Sequence, residues 1–240
     1  MILNVEQITN FAKYLNLNTH AKFMAYRFSG SKVAKTLIDC IEESLKEYDP
    51  LNETKLSDTP EYFITVNSFK KLSKEFGYND VTMEWNVEAA LNDIKEKSGL
   101  KGKKPGRPFS GLRRNGRFDI VLWKEQFPLG VIEIKKDIWT NDKYRSDIER
   151  IRAILKLVQH FDKNYKMNAF FSFYLEREDD HVRSNKADIK IRKFLEGMKE
   201  HVDEILKDEF DFTIERGKFL RYEGEIKAWG IQAFCFVIHN

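Results

Sequence analysis

Apolar residues fall at helical spacing through the first hundred positions and at strand spacing after that. In SKVAKTLIDCIEESLKEY (31–48), Val33, Leu37, Cys40, Ile41, Leu45 and Tyr48 recur on one helical stripe. Residues 49–60 are polar, carry a proline near each end and read as a surface loop. Val66, Phe69, Leu72 and Phe76 predict a short helix that Gly77 closes, and a further helix is expected over 82–97 with Gly99 beyond it. The period then changes. RFDIVLW and LGVIEIKK are short, β-branched runs separated by KEQFP, which predicts a hairpin with a loop of about five residues. Tyr144, Ile148, Ile151, Leu155 and Val158 predict a helix over 142–161, and MNAFFSFYL (167–175) a buried strand. A helix over 185–207 (Ile191, Phe194, Leu195, Met198, Val202, Ile205) and strands near 210–215 and 230–238 complete the chain. There is no internal repeat. This order describes a mixed α/β domain whose sheet is covered by helices on both faces.

With 240 residues, 42% of them apolar and 13% aromatic, the chain can bury a sizeable core, which excludes a disordered polypeptide. The N-terminus lacks a basic-then-apolar leader, and no apolar run approaches the roughly 20 residues of a membrane span. Cys40 and Cys235 stand far apart without metal-ligand spacing, and none of the five histidines shows it either. Two reduced, buried thiols in a cytoplasmic protein are therefore expected.

The net charge of +3 does not by itself call for nucleic acid, but its distribution is uneven. Residues 101–117 hold Lys101, Lys103, Lys104, Arg107, Arg113, Arg114 and Arg117 and no acid. Such a glycine-containing basic loop suits contact with a phosphate backbone. In helix 142–161, Lys143, Arg145, Arg150 and Arg152 could extend that surface.

The hairpin carries the chemistry. Side chains alternate along a strand, so Asp119, Val121 and Trp123 share one face and Phe118, Ile120 and Leu122 the other. On the return strand Val131, Glu133 and Lys135 share a face. A loop centred near Gln126 sets Asp119 opposite Glu133, with Cβ atoms ~4.5–5.5 Å apart. Two carboxylates so close in apolar strands are costly unless a divalent cation coordinates both. Lys135 adds a positive charge that can position water or pass a proton. The alternative is that Glu133 and Lys135 form an exposed surface pair.

Asp119 followed fourteen positions later by Glu133-Ile134-Lys135 resembles the PD-(D/E)xK nuclease superfamily, with Phe118 where a proline often stands. The resemblance covers roughly residues 80–175. It implies a restriction-endonuclease-like αβββαβ core with a mixed central sheet flanked by helices, and Mg²⁺-dependent phosphodiester cleavage, with Mn²⁺ as a substitute. It also implies an acid on the helix before the strands. On the wheel of helix 82–97, Glu84 flanks the buried stripe and is the first choice, with Glu88 second. Glu-x-Lys also occurs at Glu53–Lys55 and Glu225–Lys227, and Asp211 precedes Glu225 by the same fourteen positions. Gly224 interrupts that second copy, and too few residues follow it to complete a core.

The expectation is thus a nuclease core over residues 79–240 behind a helical region, 1–78, that packs on the core, recognises sequence or forms a dimer interface. Asp119, Glu133 and Glu84 would hold the metal, and Lys135 would position the attacking water. The substrate would be nucleic acid, with double-stranded DNA foremost, as in restriction and host-defence enzymes. A homodimer is compatible and a membrane partner is not expected. The rival expectation is a non-catalytic nucleic-acid-binding or partner-dependent module on the same fold.

Overall fold

A computed structural model describes residues 28–47, 60–87, 89, 116–124, 127–161, 165–223 and 227–239. Four helices are described: α1 (Gly30–Glu47), α2 (Glu61–Phe76), α3 (Asp142–Phe161) and α4 (Lys186–Leu206). Seven strands accompany them: β1 (Val81–Asn86), β2 (Arg117–Lys124), β3 (Phe127–Lys135), β4 (Asn168–Asp179), β5 (Asp211–Arg216), β6 (Leu220–Glu223) and β7 (Ala228–His239).

The strands form one mixed sheet in the order β1-β2-β3-β4-β7-β5, with β6 also pairing β7. The run β1-β2-β3 is an antiparallel meander, β4 lies parallel to β3, and β7 pairs antiparallel with β4 over twelve residues. In chain order the segment from α2 to β4 is helix, three antiparallel strands, helix, parallel strand.

Helices cover both faces, as the alternating pattern requires. Val33, Leu37 and Ile41 of α1 and Ile64 and Leu72 of α2 pack on Ile120, Leu122, Ile132, Ile134 and Phe170. On the opposite face, α3 (Tyr144, Ile148, Ile151, Leu155) and α4 (Ile191, Leu195, Met198) pack on Val121, Val131, Phe171, Phe173, Phe234 and Phe236. The two described helices of the 1–78 region thus lie on the core. Local signals fix their ends: Ser29 Oγ accepts the Lys32 amide at 3.3 Å at the start of α1. Gly77, at φ 106°, closes α2 by donating its N–H to Ser73 O at 2.9 Å, in a left-handed conformation that a side chain would strain.

Two expected elements differ. The start of the predicted helix 82–97 is strand β1, with Val87 and Ala89 helical after it; Glu88 and residues 90–97 lie outside the described residues. The stripe that suggested a helix is shared between two layers. Val81 and Met83 join the α1/α2 core, whereas Trp85 and Val87 join the α3/α4 core. The change occurs at Glu84, which stands at φ 51° and breaks the period of two. The hairpin is also tighter than five residues, because β2 runs to Lys124 and β3 starts at Phe127.

Both cysteines are buried and free, and burial pushes the Cys235 thiol well above its usual range. Among the described residues no helix is long and apolar enough to cross a membrane.

Candidate functional site

The hairpin register is the one the sequence implies. Ile120 faces Ile132, Val121 faces Val131 and Leu122 faces Gly130, with a shift only beyond Leu122. Asp119 and Glu133 are the residues next to this paired stretch, where Phe118, expected on the face of Ile120 and Leu122, packs in the α3/α4 core instead. Hydrogen bonds fix both side chains, and that of Glu133 reaches the α3 side. Asp119 Oδ2 accepts the Ile134 amide at 2.7 Å, and Glu133 Oε1 accepts Arg150 Nε of α3 at 2.7 Å.

Lys135 projects beyond them, where β3 ends between the two helical layers. Its Nζ donates to Glu61 Oε1, in the first turn of α2, at 3.0 Å and lies 3.5 Å from Asp147 Oδ2 of α3. The second Glu61 oxygen accepts the Lys136 amide at 3.2 Å, which ties the start of α2 to the end of β3. Asp147 Oδ1 accepts Arg150 at 2.5 Å; its Oδ2 is buried without a partner in ordinary hydrogen-bond geometry.

Four carboxylates (Glu61, Asp119, Glu133, Asp147) therefore meet two cations (Lys135, Arg150), an excess of two negative charges when all are ionised. Protonation reflects the conflict. Burial pushes the Asp119 carboxyl up to about 6 against the pull of the Ile134 amide and Lys135. Burial, then Asp119 beside it, holds Glu133 well above the carboxylate range although Arg150 opposes the shift. Asp147 is raised as well, by burial. For Lys135, burial favours the neutral amine, but Asp147 and Glu61 outweigh it and leave the ammonium held more firmly than usual.

Three site residues escaped the sequence. Glu61 sits just after Pro60 at a helix start, where an acid is ordinarily a dipole residue. Asp147 and Arg150 share the inward edge of α3. Arg150, read from sequence as substrate-facing, turns inward to Glu133 instead, while Arg145 pairs with Glu149 and Arg152 with Glu209. The one available signal was that Asp147 and Arg150 stand at i,i+3 beside the apolar stripe.

Glu84, the expected helical ligand, is corrected on two counts. It lies on a strand, and its side chain is about half exposed and bonded to Arg117 Nη1 at 2.9 Å. Arg117 is the one member of the basic run that is described, and it is exposed; Lys101, Lys103, Lys104, Arg107, Arg113 and Arg114 lie outside the described residues. The competing copy is pulled apart: Asp211 pairs with His239 at one end of β7, while Lys227 precedes its other end and pairs with Glu178. Twelve strand residues separate them, about 40 Å. Glu225 lies outside the described residues.

As donors the carboxylates suit a hard divalent cation. Among the described residues no three His, Cys, Asp or Glu side chains form a ready cage. The hydrogen bonds of Asp119 and Glu133 take one oxygen of each. Mg²⁺ fits such a two-carboxylate site, because it keeps several waters and takes further oxygens from substrate phosphate. Comparison with known proteins returns no match: no family model, no curated protein and no solved structure corresponds to this chain.

Proposed function

We propose that this protein is a Mg²⁺-dependent nuclease that hydrolyses nucleic-acid phosphodiester bonds, DNA foremost, on a restriction-endonuclease-like αβββαβ core. The observation that carries the reading is the surplus of buried carboxylate around Asp119, Glu133 and Lys135 at the end of β3. The order from α2 to β4 agrees with the core implied by the Asp119…Glu133-Ile134-Lys135 motif. In that order Glu61 takes the place of the acid on the helix before the strands.

Asp119 and Glu133 would hold the ion, with Mn²⁺ as an alternative. Mg²⁺, when bound, supplies Lewis-acid polarisation of the phosphoryl group and lowers the pKa of bound water. Lys135 acts as a charged donor. Because Asp147 and Glu61 keep it protonated, it orients the attacking water and stabilises the charge that develops on phosphate, and it does not serve as a general base. Glu61 and Asp147 restrict its ammonium to one place.

A second reading has its own support: the Glu133–Arg150 pair already satisfies that carboxylate internally, as in a nucleic-acid-binding module without catalysis. The two separate in one assay. DNA and RNA are incubated with Mg²⁺, with EDTA, and with the Asp119→Ala and Lys135→Ala variants. Metal-dependent cleavage lost in both variants is expected; cleavage that survives both would overturn the site. Salt-sensitive binding with no cleavage under any divalent ion would favour the second reading.

A further inference from the structure

Past Lys135 the chain takes six residues to reach α3, which carries Asp147 and Arg150, so both ends of this connection are anchored in the carboxylate cluster. Within it Ile138 is buried and Trp139 is 55% exposed. Four residues span at most about 14 Å, so Trp139 stands within that reach of Lys135.

A single exposed aromatic residue is ordinary, but the support under this one is not. The Arg177 guanidinium lies 4.5 Å from the Trp139 ring centroid and 4.7 Å from that of Phe194 of α4. It is fixed in that plane by donating to Glu176 O at 2.6 Å and Ile138 O at 2.8 Å, with Asp137 at 3.5 Å. Phe194 in turn packs against the α3/α4 core. A stack therefore rises from the core through a buried guanidinium and ends on an indole. Arginine covers one face of that ring, so the exposure belongs to the other face and the edge. The large apolar residues exposed among those described are Tyr62, Trp139 and Ile189. The two aromatic ones adjoin site residues, Tyr62 following Glu61 directly.

We propose that Trp139 is a stacking platform for an unpaired nucleobase of the strand whose phosphodiester lies at the Lys135 cluster. An aromatic ring clamped from behind gives up little conformational freedom on binding, and every base has a π-face to lay on it. The inference rests on the nucleic-acid reading above and narrows its substrate, from duplex in general to strands with an unstacked base near the cleaved bond.

The test is binding of fluorescein-labelled DNA to the full chain in EDTA, so that no cleavage intervenes. The probes are an oligothymidine, a blunt duplex, and the same duplex with an unpaired overhang; the proteins are wild type, Trp139→Phe and Trp139→Leu, with thermal melts as a control on folding. The expected result is tighter binding by wild type to the two probes with unpaired bases. Trp139→Leu should lose roughly five- to hundredfold on those probes with little change on the blunt duplex, and Trp139→Phe should retain most of the affinity. Equal binding of all probes by wild type, or no loss in Trp139→Leu, overturns the platform while leaving nucleic-acid binding intact. No binding of any nucleic acid by wild type sinks the underlying reading as well.

Discussion

The Lys135 ammonium donates to Glu61 Oε1 at 3.0 Å, joining two residues seventy-four positions apart across the end of the sheet. Both side chains are partly open to solvent, so the pair adds at most about 1 kcal/mol to stability. Its effect is on placement. Glu61→Gln keeps an oxygen for the Lys136 amide but removes the charge that holds Lys135. The expected result is a fall in cleavage of at least about tenfold, worth ~1.4 kcal/mol in the transition state, with an unchanged melting curve. A steady-state rate within twofold of wild type would remove Glu61 from the site.

Glu84 provides the contrast. Its ion pair with Arg117 is exposed, and its φ of 51° is one that glycine adopts without cost. Glu84→Ala is expected to leave cleavage within about twofold, and Glu84→Gly to change stability by no more than ~1 kcal/mol in either direction. Parallel cleavage assays on Glu61→Gln and Glu84→Ala decide which acid belongs to the site.

Acid titration should stabilise this fold over part of the range. Asp119 moves from its ordinary 3.8 to about 6 in the folded protein, so folding favours the protonated form. That contribution is fully present below pH 3.8 and is lost as pH rises through about 6. Its size is about 3 kcal/mol, at 1.36 kcal/mol per unit. Asp137, also raised to about 6 by burial, works in the same direction. Urea unfolding in EDTA should show wild type losing stability between pH 4 and 6. Asp119→Asn, which still accepts the Ile134 amide, should lose correspondingly less; an identical pH profile would contradict the assignment.

Arg150 and Glu133 form a pair in which the carboxylate is 2% exposed and the arginine 20%. Removing one partner of a buried pair strands the other, at a cost of ~3–5 kcal/mol. Arg150→Ala is therefore expected to lower stability by up to an amount of that order, and by less as pH falls, because Glu133, raised by burial, then takes up a proton. Adding Glu133→Gln should recover part of the loss, and a double-mutant cycle by urea unfolding measures the coupling. Strict additivity would show that the two side chains act independently.

How much of this was legible in the chain follows from how local each signal is. Helix α3 was readable to the residue because Tyr144, Ile148, Ile151, Leu155 and Val158 form one uninterrupted stripe. The hairpin register followed from loop centring, and the structure keeps it through Ile120–Ile132, Val121–Val131 and Leu122–Gly130, although the loop itself is shorter. Strand β1 was hidden because a backbone at positive φ at Glu84 sends Met83 and Trp85 to different layers, and the resulting spacing imitates a helix. Glu61 could not be recognised because its role depends on where the tip of α2 meets the end of β3, a contact that no local pattern encodes. The Asp211 copy failed for the converse reason: its spacing matches, yet β7 holds its two ends apart.

Strand β7 is the last described strand in sequence, yet it lies inside the sheet, with β4 on one edge and β5 and β6 on the other. During synthesis, then, β4 waits with its inner edge bare until residues 228–239 leave the ribosome. That edge belongs to NAFFSFYLERED, a long apolar strand of the kind that pairs with foreign chains when uncovered. Phe234 and Phe236, which underlie α3 and α4, arrive at the same moment. The cluster of Asp147 and Arg150 is therefore seated late, and a nascent chain arrested before residue 228 is expected to be protease-sensitive and chaperone-bound until its final segment closes the sheet.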